Sequence, residues 1–288
     1  MAVASTPISS RTNTRVKQLR AAFSEKSRLS GGLIAIEGDH LLEEALLSGI
    51  VPEVAFLAGD RPPPPVLPQS VEILHLTEDV FSSAVETRSP QGIAALISPP
   101  AHSINEIIDQ TNPLILIAVG LQDPGNMGTL IRSAEAFGAA GVIITSGTVN
   151  PWKQKALRSS TGSIFRVPVV AATQEQVAAL QSQNIRLLAA VGAAEPGVIA
   201  AQEVDLRKPC GILIGNEGSG LSAEWLAMAS TRITIPCPGP VESLNAAVAG
   251  SLLLYEASRQ RSSSVRSNST VTLQIPNTQP RRPSGAAR

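Results

Sequence analysis

Along the front of the chain, short apolar runs alternate with stretches whose apolar positions recur at helical spacing. GGLIAIEG reads as a strand ending at Glu37 and Gly38, and HLLEEALLSG as a helix that stops at Gly49. VPEVAFLAG supplies another strand, VEILHLTEDVFSSAV a strand and a helix, and QGIAALIS a last strand. Ahead of them, NTRVKQLRAAFSEKSRL sets Val16, Leu19 and Phe23 on one stripe and leaves Arg15, Lys17 and Arg20 outside it. This pattern predicts a basic amphipathic helix, suited either to packing on a small domain or to contacting phosphate. The run Pro62 to Pro65 predicts a stiff surface connection. Residues 9 to 100 are therefore expected to form a small α/β domain.

PPAHSINEIIDQTNP follows as a connection with one helical turn, and beyond it the pattern changes. LILIAV, GVIIT, FRVPVV, IRLLAAVG, CGILIG and TRITIP are short apolar runs of the kind that buried parallel strands require, separated by segments able to form helices. That is the rhythm of a doubly wound α/β domain, here over residues 113 to 260. Its last stretch, TRITIPCPGPVESLNAAVAGSLLLYEASRQ, ends a strand at Pro236, turns through a Pro/Gly loop and enters a long helix. Ser243 is the expected cap, with Leu244, Ala247, Val248, Leu252 and Tyr255 as the apolar face. Glu242, Ser243 and Asn245 stand at this junction beside free helical N–H groups. Asn is a poor helix former, so Asn245 inside the helix points either to a bound partner or to a local backbone bond. Residues 261 to 288 have too little apolar content to pack and are expected to form a disordered basic tail.

Composition sharpens the picture. With 43% hydrophobic residues but 3% aromatic ones, the cores must be built from Leu, Ile, Val and Ala. Cys210 and Cys237 are too few for a disulfide scaffold, and no apolar stretch approaches the ~20 residues of a membrane helix. The N-terminus lacks a signal-peptide core, so a soluble cytoplasmic protein with no membrane partner is the expectation. The net charge of zero conceals an asymmetry: residues 1 to 36 carry six Arg or Lys against Glu25, and residues 257 to 288 carry six Arg and no acid. Between them lie 11 basic and 22 acidic residues. Basic ends suit a polyanion such as nucleic acid, although flexible termini also carry charge for solvation alone. His40, His75 and His102 stand without paired ligands at metal spacing, so no metal is expected.

Candidate chemistry gathers after the first strand of the second domain, in GLQDPGNMGTLIRSAEAFGA. Asn126 reads as the cap of a helix packed through Leu130, Ile131, Ala134 and Phe137, with Arg132 as its lone cation. Two residues six apart do not share a helix face, so Asn126 would act from the loop and Arg132 from the helix. An Arg beside a crevice suits phosphate, because its planar fork matches two oxygens. In GILIGNEGSGLS a Gly-rich turn ends a strand, without a G-x-G-x-x-G register or a Walker Lys. Glu217 between its glycines would repel phosphate, which favours a nucleoside or a ribose hydroxyl. A surface turn that needs Gly for left-handed backbone is the plain structural account.

Together, DPGNMGTLIRSAEAFGA, LIGNEGSGLS and IPCPGPVESLNAAVA resemble, in order, the three motifs of the SpoU/TrmH family of S-adenosylmethionine-dependent RNA 2′-O-ribose methyltransferases, of the SPOUT superfamily. NPWKQKALRSSTGSIFRVPV is similar to the segment that joins the family's first motif to the middle of the domain. ISSRTNTRVKQLR, LIAIEG and SPQGIAALI are similar to its substrate-binding domain. The likeness covers about residues 9 to 260, with the Pro62 to Pro65 run and the tail as departures. It implies a trefoil-knotted α/β methyltransferase domain, usually dimeric, behind an RNA substrate-binding domain. By motif match, the backbones of Gly215, Ile235 and Leu244 would hold the adenosine end of S-adenosylmethionine. Arg132, Asn126, Glu217, Ser243 and Asn245 match the family's polar catalytic-site positions.

Methyl transfer to a ribose needs the hydroxyl oxygen in line with the methyl group, and help for that hydroxyl in losing its proton. A guanidinium holds its own proton to about pH 12 and beyond, which makes it a poor base. Arg132 therefore reads as a clamp on a neighbouring phosphate that polarises the hydroxyl, with direct proton acceptance as the other mechanism. Asn126 would orient the substrate or Arg132, while Ser243, Asn245 and Glu217 would shape the junction of cofactor and ribose. The front domain's resemblance implies ribosomal RNA as substrate, and the C-terminal helix a homodimer contact. Two other readings stand beside this one: a transfer RNA 2′-O-methyltransferase, and a non-catalytic RNA-binding or ribosome-assembly protein, against which the intact motifs speak.

Overall fold

The computed structural model describes residues 6–24, 32–192, 197–240 and 243–262. Lys26, Arg28, Glu242 and the tail from residue 263 onward lie outside the described residues. The front sheet contains β1 (Ile34–Glu37), β2 (Val54–Ala58), β3 (Glu72–Leu76) and β4 (Ile93–Ile97) in the order β1-β4-β2-β3. β4 runs antiparallel to β1 and β2, and β3 lies parallel to β2. Successive side chains of a strand point to opposite faces, and here both faces are buried. On one, α1 (Thr14–Phe23) and α3 (Glu78–Ala84) set Leu19, Phe23 and Phe81 against Ala35, Phe56 and Leu96. On the other, Ile34, Ile36, Ile93 and Ala95 join Leu42 of α2 (Asp39–Leu47) in one apolar cluster with Leu114 and Leu116 of the second domain.

The basic residues at α1 are engaged in part by their own domain. Arg15 pairs with Glu72 at 2.5 Å, Arg11 with Asp79 at 3.5 Å, and Arg20 donates to the Ser83 carbonyl at 3.4 Å. Within α1 itself Arg15 is ion-paired, Arg20 bonds neutral groups and Lys17 stays exposed, so packing and phosphate contact both remain open to this helix.

After α4 (Ile104–Ile108), capped by Ser103 and Glu106, the described residues form a second sheet of seven strands. These are β5 (Leu114–Ala118), β6 (Gly141–Ile144), β7 (Val169–Ala171), β8 (Arg186–Ala190), β9 (Val198–Ala200), β10 (Cys210–Ile214) and β11 (Thr231–Thr234). Their order is β7-β6-β5-β10-β8-β11-β9, with every pair parallel. Leu114, Leu116 and Ala118 face α5 (Pro124–Ala136), α6 (Gln154–Ser160) and α9 (Ala246–Ser262). Ile115 and Ile117 face α4, α7 (Gln174–Ala179) and α8 (Ala223–Met228). The sheet is thus covered on both sides, as a doubly wound domain requires. β9 has no counterpart in the apolar pattern because it is a three-residue edge strand that is only partly buried. α9 returns from β11 to the middle of the sheet and packs on α5, β5 and β10, a path compatible with the threading that the family resemblance implies.

Both expected helix caps shift. α9 starts at Ala246, and the Asn245 Oδ1 accepts the N–H groups of Ala247 at 2.9 Å and Val248 at 3.2 Å, so Asn245 and not Ser243 is the cap. In α5 the cap is Asp123, whose Oδ1 accepts the Asn126 N–H at 2.9 Å. Asn126 therefore lies in the first helical turn and not in the loop, which frees its side chain. The apolar face of α9 differs as well. Ala247, Leu253, Leu254 and Ala257 are buried, whereas Val248, Leu252 and Tyr255 are 48%, 42% and 51% exposed.

Candidate active site

In a parallel α/β sheet ligands bind beyond the carboxyl ends of the strands. Beyond β8, β10 and β11 lies a cavity of about 610 Å³, lined by Gly215, Glu217, Ile235, Ser243, Leu244 and Asn245 among others. Six of the eight residues singled out in the sequence thus share one cavity. Its upper wall is the Gly-rich turn, closed by hydrogen bonds between the backbones of Asn216 and Gly220 at 3.1 and 2.9 Å. A Cβ on Gly215 would lie 2.5 Å from the Gly220 carbonyl carbon, so no larger residue fits that turn without moving it. Asn216 organises it: its Oδ1 accepts the N–H groups of Gly218 at 2.9 Å and Ser219 at 3.0 Å, while its Nδ2 donates to the Gly120 carbonyl at 2.9 Å. Sequence reasoning passed over Asn216, although an Asn opening a tight turn is the residue that bonds backbone two and three positions on.

Glu217 reaches out of this turn to the loop before α5. Its Oε2 accepts the Gln122 N–H at 2.9 Å, and its Oε1 accepts the Asp123 N–H at 3.0 Å and the Asn126 Nδ2 at 2.9 Å. Burial pushes this carboxyl up, but the Gln122, Asn126 and Asp123 donors outweigh burial and hold it below the ordinary carboxylate range. The Asn126 Oδ1 in turn accepts from the Asn245 Nδ2 at 3.0 Å, and Asn245 caps α9. A continuous relay, Glu217 to Asn126 to Asn245, therefore ties together the loops of all three sequence motifs. Asp123 supports it from the side, held below the ordinary range chiefly by Lys155, whose Nζ lies 2.6 Å away.

Arg132 is not part of the cavity lining. It sits six residues beyond Asn126, about 9 Å along the helix axis. Its side chain is exposed and makes no hydrogen bond or ion pair with a described residue. Among the described residues no cluster of three or more His, Cys, Asp or Glu could hold a metal, and no helix is long and apolar enough to cross a membrane.

A cavity at the end of a parallel sheet, walled by two of three interlocked loops, in a chain that also carries a smaller α/β domain, defines an RNA methyltransferase when its relatives are set beside it. Residues 113–255 match the SpoU rRNA Methylase family, and residues 13–95 match the MRM3-like substrate binding domain. The chain belongs to the SpoU family. It is 35% identical over 250 residues to the Bacillus subtilis 23S rRNA (guanosine(2553)-2′-O)-methyltransferase RlmP, covering 86% of this chain and 97% of that one. It is also 35% identical, over 181 residues, to the Streptomyces viridochromogenes 23S rRNA (uridine(2479)-2′-O)-methyltransferase, covering 61% and 63% of the two chains. Among solved structures, it superposes on the SpoU methyltransferase AviRb of Streptomyces viridochromogenes in complex with AdoMet at a TM-score of 0.78. There the identity is 28%, over 87% of this chain and 99% of that one. A crystal structure of an RNA 2′-O ribose methyltransferase gives 0.74 at 36% identity, over 89% and 99%.

Proposed function

We propose that this protein methylates a ribose 2′-hydroxyl of ribosomal RNA with S-adenosylmethionine, as a homodimer. The observation that carries the reading is the Glu217–Asn126–Asn245 relay, which ties the two motif loops that line the cavity to the loop ahead of α5. The cavity suits the cofactor in volume, since small-molecule sites span ~300–1,000 Å³. Its described lining also contains Glu217 and no Lys or Arg, a donor set that favours a cationic sulfonium nucleoside over a polyphosphate. The backbones of Gly215, Ile235 and Leu244 would hold the nucleoside. When bound, the cofactor supplies an electrophilic methyl group.

The protein's own residues then have to align a ribose and ease the loss of its proton. Asn126 and Asn245 stand where Glu217 and the α9 N-terminus restrain them, so their amides orient the ribose without reorganising. Arg132, outside the cavity and exposed, would meet a phosphate of the incoming strand. That position favours the phosphate clamp over direct proton acceptance. Ribosomal RNA and the 2′-oxygen are supported by relatives named for both, which modify a guanosine and a uridine.

Incubating the protein with labelled donor and ribosomal RNA, followed by nucleoside mass spectrometry, tests the reading. A 2′-O-methylnucleoside is expected, whereas a methylated base, or modification of transfer RNA alone, overturns it. Arg132→Ala should bind the donor normally in calorimetry yet lose transfer; wild-type turnover would remove Arg132 from the chemistry.

A further inference from the structure

On α1, Arg15 is paired with an acid of the front domain, Arg20 bonds neutral groups and Lys17 is exposed, which leaves open where this protein meets the RNA backbone. α5 and α6 pack so closely that a Cβ on Gly128 would lie 2.3 Å from the Ala156 carbonyl oxygen and 2.7 Å from the Ser159 Cβ. This contact merges two exposed helix faces into one surface, with Thr129 and Arg132 from α5 and Lys155 and Arg158 from α6. The helices run side by side in the same sense, because Gly125 meets Lys155, Gly128 meets Ser159, and Glu135 meets Arg166 just beyond α6. Arg132, one turn past Gly128, therefore lies about one turn beyond the level of Arg158, which immediately precedes the Ser159 that Gly128 meets.

The acids bordering this surface are already engaged. Asp123 holds Lys155 at 2.6 Å, and Glu135 holds Arg166 through a second hydrogen bond of 3.1 Å. Arg132 and Arg158 remain exposed, and neither side chain makes a hydrogen bond or ion pair with a described residue. Two unpaired cations about one helical turn apart on one surface each attract an anion, and a polyanion laid along both engages them together. A guanidinium fork matches the oxygens of a phosphodiester. Resting on the functional reading above, we propose that the α5/α6 surface is the track for the RNA backbone. Arg132 and Arg158 each hold one phosphate there, beside the ribose presented to the cavity.

Fluorescence titration of the full-length protein with a ribosomal RNA fragment over a range of salt tests this directly. Losing one phosphate contact should flatten the slope of log K against log salt by about 1 and weaken binding roughly five- to tenfold near 0.1 M salt. Arg158→Ala is expected to show both effects with unchanged donor affinity and melting temperature. Arg158→Lys should recover most of the slope, and Lys17→Ala on α1 should alter it less. An unchanged slope in Arg158→Ala, or a larger loss in Lys17→Ala, overturns the track. Loss of binding to an acidic peptide with RNA binding intact would assign the surface to a protein and also overturn it. If the wild type binds RNA and methylates no ribose, the functional reading fails while the salt slope still decides the track.

Discussion

Asn245 serves two elements with one side chain, its oxygen capping α9 and its nitrogen bonding Asn126 across to α5. Asn245→Ala removes both. Helix propensity alone would favour Ala, but a lost cap costs about 1 kcal/mol, so a net fall in stability is expected in urea denaturation. Transfer should slow as well, because Asn126 loses one of its two restraints. Asn245→Asp separates the effects: it keeps an oxygen for the cap but no amide donor, so stability should survive while transfer falls. A fully active Asp variant would show that the cap alone matters. Glu217 adds a pH signature. Its carboxyl is held below the ordinary range, so its contribution to stability is complete above the unfolded value near ~4.3 and disappears as pH falls through the lower folded value. The stability difference between wild type and Glu217→Gln should therefore be largest near neutrality and shrink below about pH 4. A constant difference across that range would contradict the relay's dependence on charge.

At the scale of elements, the strands other than β9 were legible and the starts of α5 and α9 were not. β5 and β10 are buried along their whole length, so their sequences are apolar without interruption and announce themselves. Helix starts were displaced because residues able to cap stand close together, Asp123 with Asn126 and Ser243 with Asn245. Which one caps is decided by a distant partner: Glu217 engages the Asn126 amide and leaves the cap to Asp123. The face of α9 was misassigned for a related reason. Leu, Val and Ala occupy both sides of this helix, and spacing alone cannot tell a face turned to its own core from one turned outward. Val248, Leu252 and Tyr255 form the outward stripe at four- and three-residue steps, extended by the Phe137 ring, which meets Tyr255 edge-on at 5.7 Å. This stripe is the proposed homodimer contact. Sedimentation at micromolar concentration should find a dimer for the wild type and a monomer for Leu252→Glu with Tyr255→Glu; a monomeric wild type defeats the assignment.

For the whole molecule, the sequence suggested two domains joined by a connection, and spacing gave no sign of how firmly they meet. They share an apolar cluster, and the buried Gln154 donates to the Ala35 carbonyl of β1 at 2.6 Å. The far end of α9 is fixed as firmly: Arg261 donates to the carbonyls of Asn112 at 2.6 Å, Leu206 at 2.9 Å and Lys208 at 2.9 Å, just ahead of β5 and β10 and opposite the cavity. Truncation after Ser262 should thus leave turnover at saturating RNA unchanged while modestly weakening RNA binding at low salt; a collapse of saturated turnover would show that residues beyond 262 belong to the working structure. The domains are bridged most directly by Arg166, which binds Glu44 of α2 at 2.7 Å and Glu135 of α5, one turn beyond Arg132. Glu135 and Glu44 push its already high pKa higher still, so the bridge is charged at any working pH. Because its members are partly solvated, Arg166→Ala should cost only about 1 kcal/mol of stability. The larger effect falls on catalysis, since an RNA that touches both domains would no longer meet the Arg132 helix in fixed register. Turnover with RNA should drop several-fold while donor affinity holds, and Arg166→Lys, with charge but no fork, should fall between. Lowered melting temperature with unchanged RNA kinetics would reduce the bridge to a structural tie.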